Sequence, residues 1–145
     1  MEIASYLTPL RRESLDFLEG DYGQCLGAGM QTYWEGEAFP AMEEATLAIV
    51  GVCEDRGALN NSGCAAAPDA IRRKLYRLSS PVDEMHLVDL GNIAPGKTLN
   101  DTLFALTEVM YQLLKDDVAV VVLGGCQGLT FAQYKAYERL RRVVN

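Results

Sequence analysis

Long apolar runs are missing from this sequence. The longest, Val118 to Leu123, is about six residues, far short of the ~20 that a helix needs to cross a bilayer. The start, Met1-Glu2-Ile3-Ala4-Ser5-Tyr6, has neither the basic residues nor the apolar stretch of a secretory signal. These two absences predict a cytoplasmic protein with no membrane contact. Basic charge is scarce too: 13 Lys and Arg stand against 20 Asp and Glu, a net charge of −7. Nucleic acids and anionic membranes need a basic face, so neither is an expected partner. Histidine occurs once, at position 86. The four cysteines, Cys25, Cys53, Cys64 and Cys126, form no CxxC pair and no zinc spacing. They read as reduced thiols. What is present, 145 residues of which 49% are hydrophobic, suffices for one folded domain.

Residues 1–45 read as an N-terminal extension and 46–145 as the main α/β unit. In the extension, Thr8-Pro9 reads as a helix cap and first turn. Leu10, Phe17 and Leu18 would share a face of that helix, and Gly20 would end it. A stretch rich in glycine and aromatics follows, from Asp21 to Trp34. Its glycines do not form a dinucleotide fingerprint. It reads as packing against the domain, with a lid or subunit contact as the sharper alternative.

From Leu47 the pattern is regular. Leu47–Cys53, His86–Leu90 and Val118–Leu123 are apolar strands. Pro68 opens a helix with Ile71, Leu75 and Leu78 as its apolar positions. A second helix carries Leu103, Leu106, Val109, Met110, Leu113 and Leu114, capped by Thr98 or Asn100. A third spans 128–143. Alternating strands and helices predict an α/β fold with a parallel sheet. Arg72-Arg73 reads as a solvated helix face. Arg139, Arg141 and Arg142 suit the electrostatics of a helix end. His86 reads as structural.

Two motifs invite a chemical reading. Gly91-Asn92-Ile93-Ala94-Pro95-Gly96-Lys97-Thr98 fits the phosphate-loop pattern G-x-x-x-x-G-K-[ST]. Against nucleotide binding, Pro95 removes an N–H the loop would need, Lys97 precedes the helix, and no magnesium-holding Asp ends the third strand. Gly124-Gly125-Cys126-Gln127-Gly128, between a strand and a helix, has the layout of a nucleophile elbow with Cys126 as nucleophile. It resembles the elbow of class I glutamine amidotransferases. Its weakness is the base: with parallel strands, His86 lies at the other end of the sheet, roughly 15 Å away at ~3.3 Å per residue.

A set of motifs in register carries more weight. Gly51-Val52-Cys53-Glu54-Asp55-Arg56-Gly57 leads to Asn61-Ser62-Gly63-Cys64-Ala65-Ala66-Ala67-Pro68-Asp69-Ala70-Ile71-Arg72. Asp89-Leu90-Gly91-Asn92-Ile93 and Val122-Leu123-Gly124-Gly125-Cys126-Gln127-Gly128 follow. In order and spacing, residues 46–143 resemble the N-terminal half of the ureohydrolase family of arginases, agmatinases and formimidoylglutamases. Its pattern is a Gly-rich loop to G-P-x-x-[IL]-R, then D-x-G-D-[ILV], then G-G-D-H-S. The resemblance implies a three-layer α/β/α sandwich with part of the arginase-like fold and the strand order two-one-three. It implies metal-assisted hydrolysis of a guanidino or formimino C–N bond in the parent family, with formimidoylglutamase favoured.

The departures bear on chemistry. The family's G-G-D-H-S histidine, which binds one of two manganese ions, is Gln127 here, and the Asp before it is Cys126. Ala67 and Asn92 replace a Gly and an Asp. The family's other metal ligands lie in later D-x-H-x-D and D-x-D motifs. This chain is therefore expected to be an N-terminal portion that holds no manganese and is inactive alone. The alternatives are a cysteine-dependent amidohydrolase using Cys126 and a non-catalytic scaffold. Two further expectations concern geometry. Loops 54–67 and 124–128 should meet at the carboxyl end of the sheet. The edge at Val118–Leu123 should be covered by self-association, by a missing C-terminal half or by residues 1–45.

Overall fold

A computed structural model describes residues 2–15, 24–80 and 86–140. Its sheet is built from β1 (Leu7–Thr8), β2 (Gln31–Thr32), β3 (Leu47–Gly51), β4 (Leu87–Ile93) and β5 (Ala119–Leu123). The helices are the single turn α1 (Leu26–Gly29), then α2 (Ala67–Leu75), α3 (Leu99–Lys115) and α4 (Leu129–Arg139). Strands run in the order β1-β4-β3-β5, with β2 also against β4. The three main strands are parallel, Leu47 facing Leu87 on one side and Ala119 on the other. The expected two-one-three order is therefore the one observed.

Two layers of helix cover the sheet. On one face Ala48, Val50, Val52, Val88 and Leu90 pack with Leu106, Val109 and Leu113 of α3 and Ala132 and Ala136 of α4. On the other, Ile49 and Leu123 pack with Tyr76, just past α2, and with Leu10, Leu15, Met30 and Trp34. α3 starts at a capping box: the Thr98 hydroxyl accepts from the Asp101 N–H, while the Asp101 carboxylate accepts from the Thr98 N–H. This ties down two of the amides that a helix start leaves without partners.

Two expectations need correcting. Thr8 opens no helix. Leu7 and Thr8 pair antiparallel with Ile93 and Asn92, so strand pairing overrides the local capping signal; Phe17, Leu18 and Gly20 lie outside the described residues. The extension takes the β4 edge through β1 and β2, not the β5 edge. Val118–Leu123, wholly apolar, is still an edge: among the described residues β5 pairs with β3 alone. The aromatic stretch packs as its plainer reading predicts, with Trp34 buried and Tyr33 edge-on to Phe39. Arg141 and Arg142 lie outside the described residues, whereas Arg139 pairs with Glu108 and stacks on Tyr111.

Candidate functional site

The carboxyl ends of β3 and β5 bring together the two loops that the motifs single out. Val52 N–H donates to the Leu123 carbonyl at 2.8 Å, so the chains leave the sheet side by side. Loop 54–67 then folds directly over the turn 124–128. A Cβ on Gly125 would overlap the Glu54 carbonyl oxygen and stand 3.3 Å from the Cys64 carbonyl oxygen. Only glycine lets the two backbones approach this closely. The Cys126 thiol points into this junction, 3.5 Å from where a Cβ on Gly57 would lie, and Cys126 is 7% exposed. Gln127 is exposed.

Loop 54–67 is held by charge. Glu54 is buried and takes the Arg56 guanidinium on both oxygens, Nε at 2.9 and 3.1 Å and Nη2 at 2.5 Å. These hydrogen bonds, against the cost of burial, hold the Glu54 carboxyl at about 2. Arg56 continues to the carbonyls of Gly96 and Lys97 at 3.2 and 2.9 Å and to the Thr102 hydroxyl at 3.1 Å. Asp55 accepts from the Gly63 N–H at 2.8 Å. Burial first, then Asp55 and Cys126, push the Cys64 thiol up.

The same contacts dispose of the phosphate-loop reading. The Gly96 N–H goes to the Thr102 hydroxyl and the Thr98 N–H to the Asp101 carboxylate. Arg56 fills the carbonyl side of the turn. Two of the amides a phosphate would need are thus already engaged within the chain.

A second cluster lies at the carboxyl end of β4, and the sequence reading missed it. Arg72 is fully buried, not solvated. Its Nε and Nη2 reach the two oxygens of Asp89, itself fully buried, at 2.8 and 2.9 Å. Nη1 reaches Asn92 Oδ1 at 2.7 Å and Nη2 the Gly91 carbonyl at 2.8 Å. Asp89 also accepts from the Tyr76 hydroxyl at 2.7 Å and the Gly91 N–H at 2.9 Å. Burial opposes the charge on Arg72, but Asp89 outweighs it and the guanidinium is held protonated. Tyr76 is pushed up by burial and by Asp89. α2 therefore turns Arg72 and Tyr76 inward, and Ile71 and Leu78, expected inside, are 41% and 57% exposed. The available signal was an acid, Asp89, inside an otherwise apolar strand, which requires a buried partner.

The remaining candidates stay apart. The His86 carbonyl accepts from the Thr46 N–H at the start of β3, and its ring lies 3.8 Å from Glu44. That is the amino end of the parallel sheet, opposite Cys126, so the elbow does not gain the chain's one histidine as a base. Cys53 is exposed, and its thiol is pushed up by partial burial and then by Asp69. Among the described residues no three His, Cys, Asp or Glu side chains converge as a metal-holding group. No helix among them is long and apolar enough to cross a membrane.

The sequence model described as Arginase family matches residues 45–144. Formimidoylglutamase from Salmonella paratyphi C is 36% identical over 100 residues, 66% of this chain and 32% of the relative. The chain thus spans about a third of the length of the curated relatives it matches. Formimidoylglutamase from Bacillus subtilis superposes with a TM-score of 0.68 at 24% identity, covering 92% of this chain and 43% of that one. An arginase superfamily protein from Trypanosoma cruzi superposes with a TM-score of 0.61 at 26% identity, over 70% of this chain and 38% of that one.

Proposed function

The chain belongs to the arginase family, and from that premise we propose that it is the N-terminal portion of a formimidoylglutamase-type ureohydrolase, acting in the parent protein on a formimino C–N bond. The observation that carries this reading is the 36% identity to a formimidoylglutamase over 100 residues. The likeness to the Bacillus subtilis formimidoylglutamase adds support. It reaches 92% of the chain, more than residues 45–145 alone can supply, so it includes much of the segment that forms β1 and β2.

Manganese is the metal the family resemblance implies, and the donors present do not fit it. At the family histidine position Gln127 offers a neutral amide, a poor ligand for a divalent transition metal beside imidazole. Its neighbour Cys126 is buried under Gly57. The segment's part in a catalytic unit is architectural: Gly125 and the Glu54–Arg56 pair fix the two loops that leave the sheet where β3 and β5 end.

The test has two arms. Isothermal titration of residues 1–145 with Mn²⁺ should show no stoichiometric micromolar binding; such binding would overturn the reading of the site. A chimera carrying these residues, with Cys126→Asp and Gln127→His, on the remaining two-thirds of the Salmonella formimidoylglutamase should fold and hydrolyse N-formimidoylglutamate, whereas the same residues joined to the remaining two-thirds of an arginase should give no active enzyme. A folded but inactive chimera with the Salmonella remainder, or activity only with the arginase remainder, would overturn the assignment.

A further inference from the structure

We propose that Cys64 and Cys126 are a redox-active pair, which a peroxide joins in an intramolecular disulfide that clamps loop 54–67 to the turn 124–128. The inference is independent of the substrate reading, since it uses only two thiols of this segment.

The fold brings the two cysteines together from distant parts of the chain. Cys64 opens the single turn Cys64–Ala66 ahead of α2, and Cys126 follows the end of β5. Their backbones meet at Gly125, where a Cβ would stand 3.3 Å from the Cys64 carbonyl oxygen. The Cys64 Sγ lies 4.0 Å from the Glu54 carbonyl oxygen, the same oxygen that a Cβ on Gly125 would overlap. Cys126 belongs to the apolar cluster on the α3 side of the sheet, and Cys64 packs against that cluster. Glycines flank the Cys126 thiol: a Cβ on Gly57 or Gly128 would lie 3.5 or 3.8 Å from its Sγ. With no side chains there, the thiol has room to change rotamer.

The other two cysteines are placed elsewhere. The Cys25 thiol donates to the Arg77 carbonyl at 3.6 Å. Cys53 has Asp69 and Arg72 of α2 as its charged neighbours. Metal capture is the poorer use of the pair, because two sulfur donors fall short of the four ligands of a structural zinc site.

Burial and the Asp55 carboxylate keep the Cys64 thiol mostly protonated, so the pair stays reduced until an oxidant arrives. Cys64 is half-buried and Cys126 buried, so Cys64 meets the oxidant first. Its thiolate attacks one oxygen of hydrogen peroxide; an S–O bond forms, the O–O bond breaks, and hydroxide leaves as water after taking a proton. The Cys126 sulfur then attacks the sulfenic sulfur of Cys64. The S–S bond forms, the S–O bond breaks, and the departing hydroxide takes the Cys126 proton as a second water. Two thiols are oxidised and one peroxide is reduced to two waters.

The folded 145-residue chain, treated with a small excess of hydrogen peroxide, should lose two of its four thiols without covalent dimer. A peptide map should join Cys64 to Cys126, and dithiothreitol should restore both thiols. The urea midpoint of the bridged form should rise, because a cross-link over a long stretch of chain restricts the unfolded state. Cys25→Ser and Cys53→Ser in one chain leave only the pair and should bridge like the wild type. Adding Cys64→Ser should leave Cys126 unbridged and the urea midpoint unmoved by peroxide. A folded double variant that keeps both thiols, stops at sulfenic or sulfinic acid, or cross-links two chains would overturn the proposal. So would a bridge that forms only after unfolding in urea.

Discussion

Glu54 and Arg56, two residues apart, make an acid that is held ionised by its own loop. The Glu54 carboxyl lies at about 2 against an ordinary 4.5. A carboxyl lowered on folding stabilises the fold fully above its unfolded value, and that stabilisation is lost as pH falls toward the folded value. The Glu54 contribution is therefore expected to disappear between pH 4.5 and about 2. Glu54→Gln should flatten the fall in urea midpoint across that window relative to the wild type. Equal slopes for the two proteins would show that the pair does not anchor the loop. At this scale the sequence is least informative: Arg56 and Arg72 are both arginines on polar stretches. One is part-exposed and braces a loop, and the other is sealed against Asp89. Composition and spacing do not distinguish them. Gln127 is the opposite case, since its departure from the family pattern needs no coordinates to be seen.

Among the elements, those whose signals are local are readable in advance. Thr98 followed by Asp101 is a capping box, and the apolar repeat from Leu103 to Leu114 gives α3 its buried face. The three apolar segments give the three parallel strands, because strands covered on both faces are continuously hydrophobic. Two elements were misread for one physical reason, that a long-range partner outweighed a local preference. Thr8-Pro9 suits a helix start, yet Leu7 and Thr8 are drawn into the sheet by the open edge of β4. α2 and the turn after it carry an apolar series, Ile71, Leu75 and Leu78, yet the charge on Asp89 draws Arg72 and Tyr76 inward instead. The helix is thus anchored by an ion pair. Arg72→Ala removes one partner and leaves a buried carboxylate with only the Tyr76 hydroxyl and the Gly91 amide. It should cost about 3–5 kcal/mol in urea unfolding, the range for a broken buried pair. A loss below about 1 kcal/mol would mean that water reaches Asp89 in place of the guanidinium.

For the molecule as a whole, the two edges of the sheet have unequal protection, and Gly91 is the hinge of that asymmetry. It sits in β4 with φ of +79°. A Cβ there would overlap the Thr8 carbonyl oxygen and lie 3.5 Å from Pro9 Cα. The N-terminal segment can lie on β4 only because residue 91 has no side chain. Gly91→Ala adds two penalties: left-handed backbone, about 1–2 kcal/mol for a side-chain-bearing residue, and a backbone overlap that only withdrawal of Thr8 relieves. The segment should therefore detach while β3, β4 and β5 stay paired. Amide exchange is expected to quicken at Leu10, whose N–H donates to the Tyr33 carbonyl at 2.8 Å, and at Ala94, whose N–H donates to the Tyr6 carbonyl at 2.8 Å. Exchange at Ile49 and Val50 in the central strand should stay slow. Unchanged protection at Leu10 and Ala94 would show that the extension keeps its place without this close approach.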